Sequence, residues 1–151
     1  MVGDPGRAHP SLPFTDFPFG KARGMVFPRV VLVGHGVIAD LGTTCRQFDF
    51  ADRGAVITGP RTVELAGRHA AEILRESRFE AALLIAGEAT EAEVDRLERE
   101  TRAAGARFVV GVGGGSKIDI TKVVAARLGI PFVSLPTSAA HDGISSPRAS
   151  L

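Results

Sequence analysis

Short apolar runs alternate with helical patterns along most of the chain. Runs with the composition of β-strands cover residues 29–34, 54–59, 79–87, 106–113 and 130–136. Between them, apolar residues recur every three or four positions, which predicts helices over residues 36–46, 62–77, 90–104 and from about 116 onward. Several of the strands are almost continuously apolar, as is typical of strands covered on both faces of a parallel sheet. The pattern predicts an α/β fold with a Rossmann-like, doubly wound, mainly parallel sheet.

The helical periodicity also predicts which side chains face the core. In the second helix one side carries Leu65, Ala66, Ala70, Ile73 and Leu74. The third helix opens on Thr90 and Glu93, a capping-box pattern. In the fourth helix we expect the inward positions to be Ile120, Val123, Val124 and Leu128.

The first 24 residues differ from the rest of the chain. They are rich in Pro and Gly and show no period, so we expect a loose N-terminal tail over residues 1–24 and a single α/β domain over 25–151. The alternative is an arm whose Phe14, Phe17 and Phe19 dock on the domain.

Charge and composition narrow the class of protein. The formal net charge is +1 and the positive residues are not clustered, which argues against a nucleic-acid partner. No apolar run approaches the roughly 18 residues of a membrane span. Cys45 is the only cysteine, so an internal disulfide is excluded and a reducing cytoplasm fits best. Its surroundings favour a small, packed helix residue over a reactive thiol.

Three consecutive glycines, Gly113–Gly115, join the fourth strand to the fourth helix. Glycines at this place let the backbone come close to an anion, and the next helix offers free N–H groups and the positive end of its dipole. Ser116 can cap the helix or donate to the anion. A pyrophosphate suits such a site. The alternative is a glycine-rich turn that only packs the strand tightly against the helix.

Two better-known glycine motifs do not fit. Counted from Gly111, both the P-loop and the dinucleotide fingerprint need glycine where the chain has Ser116. The P-loop also needs a hydroxyl where the chain has Ile118, and the fingerprint follows the first strand of its domain rather than the fourth. The phosphate hypothesis therefore depends on the general chemistry of the loop.

A second polar stretch, residues 134–151, follows the fifth strand and opens on the same edge of the sheet. Its polar side chains are Thr137, Ser138, His141, Asp142, Ser145, Ser146 and Arg148. Ligands in doubly wound sheets bind beyond the carboxyl ends of the strands, which is where both stretches lie. The alternative for the second stretch is an ordinary polar loop with a turn at Asp142–Gly143.

Together the two stretches resemble the archaeal-type sn-glycerol-1-phosphate dehydrogenases, a branch of the superfamily of dehydroquinate synthases and iron-containing alcohol dehydrogenases. The likeness runs from Val26 to Leu151. Four motifs carry it, namely VGHGV at 33–37, ITGPRT at 57–62, GVGGGSKIDITK at 111–122 and PTSAAHDGISSPRASL at 136–151. The last motif is the most specific, because the other branches resemble different sequences after this strand.

The resemblance implies reduction of dihydroxyacetone phosphate to sn-glycerol 1-phosphate and the reverse, with NAD or NADP as cofactor and archaeal ether lipids as the destination of the product. It implies that the cofactor is bound by Gly113, Gly114, Gly115, Ser116, Lys117, Ile118, Asp119, Thr137, Ser138, Ala139, Ala140 and Ser146. Of these, 115–119 would hold the phosphates and 137–140 would lie toward the nicotinamide. Asp142 would contact the substrate. The enzymes of this branch are expected to act as homo-oligomers in the cytoplasm.

The resemblance also implies zinc, held in the complete enzyme by one Asp and two His of a helical second domain. Those ligands would lie beyond Leu151, so we expect no catalytic residue and no metal ligand within this chain, and no activity from it alone. His69 is expected to be a packed or edge residue of its helix. His35 lies in the turn after the first strand, near the cofactor, while His141 either orients the substrate phosphate or belongs to the loop.

Cofactor choice depends on the turn after the second strand. Gly59-Pro60-Arg61-Thr62 contains no acid to bind a ribose 2′-hydroxyl, so we expect NADP to be accepted as well as NAD, with Arg61 near the 2′-phosphate or else simply solvated. Asp119 either faces the cofactor or pairs with Lys122 on the helix surface. The rival functions are a non-catalytic NAD(P)-binding remnant and a dehydrogenase of another glycerol or polyol phosphate.

Overall fold

The computed structural model describes residues 31–33, 36–137 and 148–150. In chain order its strands and α-helices are β1 (Val31–Val33), α1 (Leu41–Gln47), β2 (Arg53–Thr58), α2 (Arg68–Glu76), β3 (Glu80–Ile85), α3 (Glu91–Ala103), β4 (Val109–Gly113), α4 (Gly115–Leu128), β5 (Phe132–Pro136) and β6 (Arg148–Ser150). A 3-10 turn, Val37–Asp40, precedes α1, and a π-helical turn, Val63–Gly67, precedes α2.

The strands form one six-stranded sheet in the order β1-β6-β5-β4-β2-β3. The four strands from β5 to β3 are parallel to one another, while β6 is antiparallel to both β5 and β1. The predicted α/β fold with a Rossmann-like, mainly parallel sheet is confirmed.

Two apolar layers cover the two faces of the sheet. One contains α1 and α2, with Leu41, Cys45 and Leu74 packed on Val56, Val110 and Val133. The other contains α3 and α4, with Leu97, Ile120 and Val124 packed on Ile57 and Val109. Successive strand residues point into opposite layers, so β2 and β4 are almost wholly buried, which is why their sequences are continuously apolar.

The chain near its end differs from the prediction. Residues after the fifth strand were expected to form a polar loop, but Arg148–Ser150 form β6, which pairs with β1 and touches β5 at Ser134. This strand has only three residues, too few for periodicity to predict its pairing. It also places β1 at the edge of the sheet, far from β2.

Two expected core positions are wrong. Leu65 is 79% exposed, because the π-helical turn adds a residue to the first turn and rotates it out of phase with α2. Val123 is 42% exposed, and the buried position beside Ile120 is occupied by Thr121, whose hydroxyl bonds the carbonyl of Lys117 at 2.7 Å. The remaining expected positions of both helices are buried or half-buried.

The capping box of α3 is only half formed. Thr90 Oγ1 accepts the N–H of Glu93 at 3.1 Å, as expected. The Glu93 carboxylate does not return to Thr90, whose N–H bonds the carbonyl of Glu88 at 2.8 Å. It accepts instead the N–H of Gly87, at the end of β3, at 2.7 Å.

No helix among the described residues is long and apolar enough to cross a membrane. The expected tail over residues 1–24, with Phe14, Phe17 and Phe19, lies outside the described residues.

The thiol of Cys45 is predicted to be inert in the folded protein. Its side chain is fully buried, and burial raises its pKa to about 12, against a smaller lowering by the charge of Arg46. At pH 8 we expect alkylation at least ~100-fold slower than for an exposed cysteine, because thiolate is the reacting species. Mass spectrometry after timed iodoacetamide treatment measures the rate. The same chain in urea should label fully, and rapid labelling of the folded chain would show that Cys45 is not buried.

Candidate functional site

The ends of β2 and β4 mark the point where the chain changes faces of the sheet. These strands are neighbours, with Thr58 opposite Val112 near their carboxyl ends. The chain leaving β2 enters the layer that contains α2, whereas the chain leaving β4 enters α4 in the opposite layer. A crevice opens where connections diverge in this way, and such crevices are where doubly wound sheets bind ligands.

The three glycines of the β4–α4 connection have different physical roles. Gly113 has φ +144°, a conformation that favours glycine, and a Cβ there would lie 3.2 Å from Lys117 Cβ and 3.3 Å from Thr62 Oγ1. At Gly114 and Gly115 an added Cβ would meet no atom of the described residues within 4 Å. The first glycine therefore shapes the turn, and the next two leave open space beside the backbone.

The first turn of α4 offers hydrogen-bond donors to that space. The carbonyl of Gly114 accepts the N–H groups of Lys117 and Ile118, both at 3.1 Å, and no side chain caps the helix. In the described part of the chain no acceptor is recorded for the N–H groups of Gly115 and Ser116. Both residues are exposed, so two backbone donors and a hydroxyl lie at the positive end of the helix dipole.

Thr62 fixes the turn after β2, and sequence analysis did not single it out. Its Oγ1 lies 2.8 Å from Thr58 Oγ1 and accepts the N–H of Gly59 at 3.1 Å. The same oxygen borders the position that a Gly113 side chain would take. A hydroxyl three residues after a strand-ending glycine is a local turn signal that could have drawn attention to it.

Lys117 crosses the carboxyl edge of the sheet. Its stem lies against Gly113 and over Gly59, where an added Cβ would be 2.9 Å from Lys117 Cε. Its ammonium donates to the carbonyl of Gly87, beyond the end of β3. One side chain thus connects the ends of β4, β2 and β3, a role that the sequence did not indicate.

Glu93 binds the N–H of Gly87, the residue whose carbonyl accepts from Lys117. Its carboxylate accepts the Gly87 N–H and pairs with Arg96, which also bonds Glu100 at 2.7 Å and the carbonyl of Ile85 at 2.8 Å. The hydrogen bond from Arg96 is the main cause that lowers the pKa of Glu93, with smaller contributions from the Gly87 N–H and the charge of Lys117. The carboxylate is therefore ionised at neutral pH and its charge is balanced locally.

Thr137 joins the end of β5 to the glycine loop. Its N–H donates to the carbonyl of Gly113 at 3.0 Å, and its side chain is half-buried. The structure thus brings Thr137 together with the predicted residues of 113–117, while the roles of all these residues stay predictions.

The remaining predicted residues are less closely grouped. Ile118 is half-buried and Asp119 is exposed on α4, and no ion pair between Asp119 and Lys122 is recorded. Arg61 and His69 are exposed. The other predicted residues lie outside the described residues, namely His35, Ser138, Ala139, Ala140, His141, Asp142 and Ser146. In the described ranges no group of three or more His, Cys, Asp or Glu could hold a metal ion.

Known proteins are similar to this chain in sequence and in fold. The family model described as iron-containing alcohol dehydrogenase matches residues 32–151. The chain is 39% identical over 131 residues to the glycerol-1-phosphate dehydrogenase (NAD(P)+) of Methanosarcina acetivorans, across 87% of this chain and 37% of that protein. It is 44% identical over 139 residues to the enzyme of the same name from Thermoplasma volcanium, across 88% of this chain and 38% of that protein. The resemblance predicted from the four motifs is confirmed.

A solved structure shows the fold. The glycerol dehydrogenase of Schizosaccharomyces pombe matches with a TM-score of 0.67 at 20% identity, over 77% of this chain and 30% of that chain. The chain spans well under half the length of each of these proteins.

Gly113→Ala is predicted to destabilise the fold. The backbone conformation at φ +144° is strained for any L side chain, and the added methyl would press on Lys117. We expect the free energy of unfolding to fall by about 1–3 kcal/mol, measured by urea denaturation. Gly114→Ala is the matched control, since its φ of −78° is ordinary and its surroundings are open. Equal stability of the two variants would contradict the assignment of Gly113 as the shaping residue.

Proposed function

Because the chain belongs to the iron-containing alcohol dehydrogenase family, we propose that residues 25–151 form the cofactor-binding part of an NAD(P)-dependent dehydrogenase that interconverts dihydroxyacetone phosphate and sn-glycerol 1-phosphate. The proposed reaction comes from the named relatives, of which this chain spans about 37%. A dehydrogenase of this kind needs a site for a dinucleotide, and the carboxyl ends of β2 and β4, where the connections diverge, are the place where doubly wound sheets bind one.

The observation that carries the proposal is the open space beside Gly114 and Gly115. It lies next to two N–H groups without recorded acceptors at the start of α4. A diphosphate carries negative charge and accepts several hydrogen bonds, so it matches both the donors and the helix dipole. A turn that served only to pack β4 against α4 would not need this space to be left open.

The dinucleotide would lie along the carboxyl edge of the sheet. In this proposal the backbone of Gly113–Asp119 and the hydroxyl of Ser116 hold the diphosphate region, and Thr137 with Ser138, Ala139 and Ala140 lines the path toward the nicotinamide. Ser146 also contacts the cofactor, and Asp142 contacts the substrate. When bound, the cofactor supplies or accepts the hydride. The residues of the chain bind and orient the cofactor, and the N–H groups at the start of α4 stabilise the negative charge of its diphosphate.

Zinc is the second group that the resemblance implies. The described residues do not fit a zinc site, because they contain no suitable cluster of side chains. We assign to this part of the protein the binding of the dinucleotide. The wider proposal is a cytoplasmic, homo-oligomeric enzyme that supplies the glycerol backbone of ether lipids.

Gly114→Ala tests the proposed site directly. The folded chain is expected to bind NADH and NADPH in titration calorimetry. The added methyl takes up space that the diphosphate needs, so we expect affinity for both to fall about tenfold or more, as for the loss of one charge-assisted contact. The melting temperature should stay unchanged because, among the described residues, the methyl meets no atom within 4 Å.

Ala126→Ser, at an exposed position of the same helix, is the control for a single added atom. Unchanged binding by Gly114→Ala would contradict the assignment of the loop. A wild-type chain that is folded but binds neither nucleotide would contradict the proposed function itself. Binding without activity, in the complete protein, would favour a non-catalytic NAD(P)-binding protein.

Arg61→Ala is predicted to weaken NADPH binding selectively. Arg61 is exposed in the turn after β2, where no acid is present, and a nearby arginine accommodates a 2′-phosphate. Because the side chain is solvated, we expect only about a two- to fivefold rise in the Kd of NADPH. Calorimetry with NADH serves as the comparison, and an unchanged ratio of the two Kd values would show that Arg61 has no part in cofactor choice.

A further inference from the structure

We propose that Lys117 is a specificity-determining residue that binds the 2′-phosphate of NADP. The inference rests on the proposed function, since it assigns a role within the same site. The observation behind it is a juxtaposition: the stem of Lys117 lies over the end of β2 at Gly59, and its ammonium lies at Gly87 beyond the end of β3.

The order of the strands decides which half of the cofactor meets this ammonium. The diphosphate lies over the loop after β4, and the nicotinamide half points toward Thr137 at the end of β5. Because β4 lies between β5 and β2, the adenosine half extends in the opposite direction, across the ends of β2 and β3. In doubly wound sheets this is where the group on the ribose 2′-position is recognised.

The charges around that position favour a phosphate. In NAD-binding sites an acid accepts the ribose 2′-hydroxyl, but Gly59–Thr62 contain none. Two acids follow β3. Glu93 is already engaged by Arg96 and the Gly87 N–H, and Glu88 is exposed, where solvent and salt weaken its charge. Lys117 as a whole residue is half-buried, with its stem against the end of β2, whereas Glu88 and Arg61 are exposed.

The ammonium of Lys117 has more N–H donors than the described residues use. It carries three N–H groups, and the described residues provide one acceptor, the carbonyl of Gly87. Two N–H groups remain for a phosphate, so binding need not break the contact that holds the end of β3. The held position also reduces the side-chain entropy lost on binding, which distinguishes Lys117 from a mobile surface lysine.

Gly59 gives this arrangement its room. A side chain at residue 59 would begin 2.9 Å from Lys117 Cε and would push this flexible stem aside. Glycine at residue 59 thus leaves the path of the stem over the end of β2 unobstructed.

Lys117→Met separates charge from packing, because methionine keeps much of the stem and removes the ammonium. The probes are adenosine 2′,5′-bisphosphate and 5′-AMP, which differ only in the 2′-phosphate, together with NADPH and NADH, all measured by calorimetry on the full chain. We expect the Kd of the two 2′-phosphorylated probes to rise about tenfold or more, with less than about a twofold change for the other two. Lys117→Arg should retain the preference.

The control is Arg99→Met, which removes an exposed cation of α3 that forms no ion pair with any described residue. It should leave all four affinities unchanged. Equal weakening of the four probes by Lys117→Met would show that Lys117 only positions the loops, and no change would show that it does not touch the nucleotide. Either result overturns the inference while the proposed function stands. A wild-type chain that binds none of the probes overturns both.

Discussion

Parallel pairing of β3, β2, β4 and β5 is the constraint from which the site follows. Two parallel strands need a connection that crosses one face of the sheet. The helices in these connections cover both faces, so neither face is available to bind a polar ligand. The backbone is free to meet a ligand only where strands end and connections diverge. In this chain that divergence occurs between β2 and β4, because their connections enter opposite layers.

Within that crevice, shape depends on glycines that are not equivalent. Gly113 adopts a backbone conformation that other residues avoid, whereas Gly114 and Gly115 are valuable for the space beside them. Gly59 and Gly113 both leave room for Lys117. The side chain of Lys117 therefore fills part of the carboxyl edge of the sheet. The space beside Gly114 and Gly115, at the start of α4, is left open. A site formed in this way is largely preorganised, which reduces the cost of binding.

The sequence predicts the fold well because burial on both faces leaves a direct signal. The central residues of β2, Ala55–Ile57, and all of β4 are apolar or glycine and buried. Predictions fail where hydrogen bonding overrides periodicity. Leu65 turns outward because a π-helical turn changes the phase, and β6 forms from polar residues by pairing with β1. The spacing of apolar residues predicts neither the π-helical turn nor the pairing of β6 with β1.

The candidate site could be predicted only in part, for a related reason. Gly113–Gly115 and Ser116 are informative because they are contiguous and lie at the end of a strand. The contact of Lys117 with Gly87 joins residues thirty positions apart, and Thr62, in the connection after β2, borders the place that a side chain on Gly113 would take. Such contacts depend on the order of strands in the sheet. A single sequence does not show that β2 lies between β3 and β4.

The charges at the end of β3 explain how a cation can stay available there. Gly87 is held by Lys117 through its carbonyl and by Glu93 through its N–H. Had the carboxylate of Glu93 bonded Lys117 directly, the pair would have been neutral and poorly suited to an anion. Arg96 takes that carboxylate instead, and the interaction lowers the pKa of Glu93 so that it stays ionised at neutral pH. The peptide of Gly87 thus lies between the Glu93–Arg96 ion pair and the ammonium of Lys117, which stays near Glu93 without bonding it directly.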